Sequence, residues 1–138
     1  MQNVLKYLDQ YDYSIWIDGN MDIVGNINEL VEKYLSHNSI AFYSHANNAL
    51  DSRSCPYEEA EYILMMGNKN YNLNPKRGIL AYKDNPYVIK NQMENYLYEG
   101  FPRNKGLITG MVILRRHNNK DCIKVMEQWW SEIYSASS

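Results

Sequence analysis

Long apolar runs are missing from this 138-residue chain: nowhere do about 18 uncharged apolar residues follow one another, the length a helix needs to cross a bilayer. The opening stretch, MQNVLKYLDQYDY, is broken by charge before any apolar segment of useful length, so it does not read as a secretory leader. An excess of one charge is missing too. Lys and Arg number 14 against 16 Asp and Glu, for a net charge of −2, and no basic stripe gathers on a predicted helix. That excludes the usual electrostatic footprint of a nucleic-acid binder. Cysteine is scarce: Cys55 and Cys122 stand far apart, lack Cys-x-x-Cys zinc spacing, and read as reduced, half-buried thiols. With no membrane span and no nucleic-acid partner, the expectation is a soluble, cytoplasmic chain. Its length suits one domain, able to bury roughly two-thirds of its unfolded surface.

What is present alternates between two periodicities. Val4, Leu5 and Leu8 share a helical face and lead into Tyr13-Ser-Ile-Trp-Ile17, a β-branched and aromatic run that predicts a buried strand. Asp18-Gly-Asn20 stops it with turn chemistry. Asn26 or Asn28 can cap a helix with Ile27, Leu30, Val31, Tyr34 and Leu35 inward, and a second strand is predicted over Ser39 to Tyr43. After a polar loop over 44–54, Pro56, Glu58 and Glu59 open a helix that Gly67 should end. Residues 67–83 lack periodicity and predict an irregular connection. Asn85 and Pro86 open a further helix closed by Gly100; a loop from Phe101 to Lys105 follows, then a third strand over Leu107 to Leu114. Cys122, Val125, Met126, Trp129, Trp130 and Ile133 form the stripe of a last helix. Strands alternating with helices predict an α/β layered fold with a small, mostly parallel sheet. Three strands leave an unprotected edge, a hint that further strands belong beside them.

Asp18 is the first candidate for chemistry. Ligands of open α/β sheets sit beyond the carboxyl ends of the strands, where Asp18 is expected. A carboxylate there, with an amide two residues on and Asp22 following, suits a hard divalent cation shared with substrate phosphates. The same three residues also spell an ordinary tight turn.

Four blocks together resemble a known family. Tyr13-Ser-Ile-Trp-Ile-Asp-Gly-Asn20 is similar to the signature of a glycosyltransferase-like family formerly catalogued as a domain of unknown function, with bacterial, viral and plant members. The other blocks follow in the same order: His45 with Arg53-Ser-Cys-Pro-Tyr-Glu-Glu-Ala60; Glu99-Gly-Phe-Pro102 with Gly106-Leu107; and Val112-Ile-Leu-Arg-Arg-His-Asn118 ahead of Trp129-Trp130. The resemblance implies a Rossmann-like, single-domain glycosyltransferase fold, here incomplete. Residues 1–138 would form one partial domain lacking the N-terminal nucleotide-binding strands and a C-terminal Arg-Asp-Gln segment.

The implied activity is transfer of a hexose from a nucleotide sugar to a glycan acceptor, as in polysaccharide biosynthesis. Manganese or magnesium would be held by Asp18 and Asn20, with His117 as a further ligand. Substrate would meet His45, Arg53, Glu99, Phe101 and Arg115, and Glu58 or Glu59 would be the candidates for a general base. Each has a plainer alternative: His45 packing beside Tyr43, Arg53 paired with Glu58 or Glu59, either acid as a helix-dipole partner, Phe101 as a plug under its loop, and Arg115 and His117 as solvated residues at a strand exit. Two departures bear on activity. Asn20 stands where a second Asp would add charge, and Ile108-Thr109 stands where relatives carry an acid, a position from which Thr109 cannot act as a carboxylate base. A sugar-binding remnant without turnover is therefore the alternative. A metal-dependent hydrolase using Asp18 and the histidines is a third, although no His-x-His or His-Glu-x-x-His grouping supports it.

Overall fold

A computed structural model of the chain describes residues 7–45 and 52–135. Val4 and Leu5 of the first expected helical face, most of the 44–54 loop, and the last three residues lie outside them. The described residues gather into two compact units, one built from the chain through Ser44 together with the chain from Ile108 onward, the other from His45–Leu107.

The first unit contains β1 (Ser14–Ile17), α1 (Ile27–Leu35), β2 (Ile40–Ser44), β3 (Ile108–Arg115) and, last, a C-terminal helix (Lys120–Ser135). Its sheet has the order β1-β3-β2, and both outer strands pair with β3 antiparallel. This corrects the mostly parallel sheet expected from the alternation of elements. The reason lies in the last connection: the chain leaves the sheet at Ser44 and returns at Ile108, which is paired with Ser44, so β3 must run back between its neighbours. Because β1 and β2 both oppose β3, they run parallel to one another without touching. Hydrophobic periodicity carries no information on that insertion, since a strand reads the same in either direction.

Alternation along the strands sorts the side chains. Ile15, Ile17, Ala41, Val112 and Leu114 face α1, where Leu30, Val31 and the fully buried Leu35 complete a core. The other face carries Phe42, Ile113 and Arg115, and Phe42 meets Trp129 of the C-terminal helix edge-on with ring centres 6.1 Å apart. Helices on both faces explain why Val112–Leu114 is a continuous apolar run rather than an alternating one. Each buried Leu or Ile in this core contributes roughly 1.5–3 kcal/mol. Asn26 makes the α1 cap, its side chain accepting from the Asn28 N–H at 3.0 Å.

In the second unit α2 (Pro56–Leu73) continues past Gly67, its expected end. Gly67 is there for proximity: a Cβ would meet Cγ of the Tyr82 ring at 2.9 Å and other ring atoms more closely still. The stretch expected to be irregular is helix followed by 3-10 turns over Pro75–Ala81, broken at Gly78, whose φ of 54° is left-handed. α3 (Pro86–Tyr98) begins as its sequence dictates, with the Asn85 side chain accepting from the Tyr87 N–H at 2.9 Å and proline at the first position. The C-terminal helix of the first unit, Lys120–Ser135, is α4.

Candidate functional site

Asp18 follows the last residue of β1. Its N–H donates to the Met111 carbonyl at 2.9 Å, extending the ladder by one step, and its carbonyl accepts from the Met21 N–H at 3.1 Å, closing a four-residue turn. Gly19 and Asn20 occupy the exposed tip, with Asp18 half-buried at its base. So the tight turn and the strand-end carboxylate are the same feature. β2 finishes at this end of the sheet as well, since Ser44 pairs with Ile108 at the start of β3. An open pocket of about 240 Å³ adjoins the turn, lined by apolar side chains that include Ile17, Ile23, Leu30, Tyr43 and Val112, with Asp22 among them.

Arg115 and His117 lie elsewhere. Ser14, not Ile17, is the register partner of Arg115, so the antiparallel pairing carries β3 away from Asp18 as it approaches His117. At about 3.3 Å per residue the separation is roughly 15–20 Å along the sheet. His117 is therefore corrected from metal ligand to fold pin: it is 1% exposed, and its Nε2–H donates to the Leu8 carbonyl at 2.6 Å. Asn118 holds the same segment, donating to the carbonyls of Asp9 and Tyr11. Arg115 is buried, which corrects the solvated strand exit. In a parallel sheet these residues would have shared an end with Asp18; reversal of β3 separates them.

In the second unit His45, Arg53 and Glu59 do meet. Arg53 Nε pairs with Glu59 Oε2, and its guanidinium lies 4.2 Å over the ring of Tyr62. The Arg53 N–H donates to His45 Nδ1 at 3.1 Å, while the Arg53 amino group lies 3.0 Å from Nε2. An imidazole accepts at one ring nitrogen at a time, so only one of these two approaches can be a hydrogen bond to His45 as acceptor. Glu58 reaches back from the first turn of α2 to accept from the Ser54 N–H at 2.6 Å and the Ser54 hydroxyl at 2.9 Å. Those two bonds outweigh desolvation and, with a lesser contribution from Arg103, hold its carboxyl below the ordinary range. A general base works best with a pKa near the operating pH. Glu58 is moved away from it, and Glu59 is engaged with Arg53.

Phe101 stacks on Tyr96 with ring centres 5.3 Å apart and lies tilted against Tyr57, whose hydroxyl donates to the Phe101 carbonyl at 2.9 Å. It remains 44% exposed, so it is both plug and available surface. Glu99 caps the end of α3 and is exposed. An open groove of about 480 Å³ runs along α2 and α3, lined by residues including Glu59, Ile63, Val88, Gln92 and Tyr96.

The sequence does not single out Ser54 or Asn104, and it marks Cys55 only as a half-buried thiol, whereas that residue is 1% exposed. Cys55 occupies the cap position of α2. Burial would raise its thiol, but the backbone N–H groups of Asn104, Glu58 and Tyr57 outweigh that and lower it. An acid three residues after a small polar cap is the signal that marks such a helix start.

Among the described residues no three His, Cys, Asp or Glu are placed to hold a metal ion. Asp18 is half-buried and Asn20 exposed on the same turn, a single carboxylate and a single amide. Compared with the known protein families, with curated proteins and with solved structures, the chain matches none.

Proposed function

We propose that this chain is a glycosyltransferase-like protein that holds the diphosphate of a nucleotide sugar at the Asp18 end of its sheet, the donor side of hexose transfer to a glycan. The observation that carries the reading is the position of Asp18: at the carboxyl end of β1, where β2 also ends, on a turn fixed by two backbone hydrogen bonds beside an open pocket. Strand carboxyl ends are where α/β sheets receive ligands, and β1 and β2 keep that common polarity despite the antiparallel β3 between them. A bound magnesium or manganese ion would neutralise charge on the leaving diphosphate. The chain's own part is to orient: Asp18 is held by its backbone, Asn20 offers an amide oxygen at the tip, and the apolar pocket limits water beside them. In the second unit, Tyr96, Gln92 and Glu59 along one groove give the pairing of flat aromatic face and polar groups that suits a sugar ring.

A second reading, sugar binding without turnover, is favoured by one observation: Glu58 is bonded twice to Ser54, Glu59 is paired with Arg53, and the Thr109 hydroxyl donates to the Tyr43 carbonyl at 3.3 Å. None of these three is a poised base. The experiment is to offer the purified chain manganese with a panel of nucleotide sugars, measuring heat of binding and nucleotide release. Metal-dependent binding lost in Asp18→Ala, with little or no release, is expected. Absence of binding to every donor removes the proposal; donor-specific release that disappears in Asp18→Ala establishes an enzyme and removes the second reading.

A further inference from the structure

Arg115 ends β3 on the sheet face that α4 covers, and it is only 5% exposed. A guanidinium keeps its charge in essentially any protein setting, so a buried one needs a counter-charge or a full set of acceptors. The described residues supply neither to Nε, which has no hydrogen-bond partner. Burial pushes the group below its ordinary value, and the one influence acting the other way is the Cys122 thiol of α4. Cys122 is not a counter-ion. Its own burial raises the thiol by more than Arg115 draws it down, so it stays protonated at neutral pH.

The cross-strand partner of Arg115 is Ser14. Directly opposed residues of an antiparallel pair project from the same face with Cβ atoms about 5 Å apart. Ser14 is 8% exposed, and its hydroxyl also lacks a partner. Two neighbouring side chains, one cationic and one a hydroxyl, are therefore buried on one face with donors unused. Water alone would satisfy the hydroxyl but leave the charge unbalanced. A small anion answers both.

We infer that Arg115 and Ser14 form a binding site for a small oxyanion, a carboxylate or phosphate group, held by guanidinium N–H groups and the Ser14 hydroxyl beneath the first turns of α4. With Arg115 5% and Ser14 8% exposed, the proposal is confined to a free ion or compact acid. This site stands at the opposite end of the sheet from Asp18, so it is independent of the function proposed above.

The test is thermal unfolding of the full chain in an amine-sulfonate buffer at constant ionic strength, titrated with acetate, phosphate or chloride. The expected result is a saturable rise in Tm with acetate or phosphate beyond that with chloride, the stronger of the two identifying the preferred acid. Arg115→Met should abolish the rise while melting in anion-free buffer at or above the wild-type temperature, because an unpaired buried charge has been replaced by an apolar side chain of similar length. If that variant does not fold, the 15N-edited Nε–H resonance of Arg115 in the wild type serves instead, and it should move saturably with the same anion. The inference is overturned if no anion moves Tm or that resonance, or if Arg115→Met keeps the full response. It is equally overturned if Tm depends on protein concentration rather than on anion, for then a second copy supplies the carboxylate.

Discussion

Replacing Gly67 by alanine opposes two effects whose sizes follow from the structure. Gly67 lies inside α2, where alanine in place of glycine ordinarily gains about 1 kcal/mol of helix stability. Against that, the added methyl would enter the ring of Tyr82, meeting Cγ at 2.9 Å and the atoms beyond it at shorter range. Overpacking of a fitted contact costs typically 1–3 kcal/mol. The ring cannot simply rotate away, because the Tyr82 hydroxyl is bonded to the Asn68 side chain one residue along the same helix. A net loss of up to about 2 kcal/mol is expected, at roughly 4–8 °C in Tm per kcal/mol for a unit of this size. Urea and thermal unfolding followed by circular dichroism would measure it. In a Tyr82→Ala background the same change should become neutral or stabilising, since only the helical gain remains. The reasoning is refuted if Gly67→Ala costs as much without the ring as with it, or if it stabilises the protein with Tyr82 intact.

Leu114, 2% exposed in the core beneath α1, should lose about 2–5 kcal/mol on truncation to alanine, whereas Ile108, 52% exposed at the far end of the same strand, should lose little; equal losses in urea unfolding would contradict the described register. Glu58→Gln tests the helix start through pH: its two bonds to Ser54 hold the folded carboxyl below the ordinary glutamate value, so the stabilisation is complete above that ordinary value and disappears as pH falls through the folded one. The Tm gap between wild type and variant should accordingly be open at pH 7 and narrow as the solution is acidified below pH 4.5, and a gap that stays unchanged on acidification would mean that the Ser54 bonds do not favour the charged form.

Much of the local structure was legible because local chemistry decides it. Asn85 with Pro86, and Asn26 ahead of Ile27, mark helix starts through cap acceptors and a proline that needs no N–H. The strands were legible from β-branched and aromatic runs. Gly67 misled because a helix stop and a close approach use the same residue, and only the position of Tyr82, fifteen residues on, separates them. Strand direction was not legible at all, and the candidate site suffered most from that. Asp18 does follow the last residue of β1, although β1 is an edge strand and not a central one, and the inclusion of Arg115 and His117 assumed that β3 ran the same way as β1. Reversing one strand sends these two residues to the other end and turns His117 into a buried donor to the Leu8 carbonyl. Arg53 does pair with one of the two acids named as its structural partners, Glu59, and touches His45, because all three are local to the chain between β2 and α2, whereas Glu58 turns to Ser54 instead.

The central claim, that a nucleotide diphosphate binds at the Asp18 end of the sheet, is tested most directly by mapping amide chemical shifts of the labelled chain during titration with a nucleoside diphosphate and magnesium. The account predicts saturable, magnesium-dependent shifts at residues 18–22 and at the pocket positions Ile17 and Tyr43, absent in Asp18→Ala and small around His117. Shifts confined to the His117 end, or none at any diphosphate concentration, would contradict it.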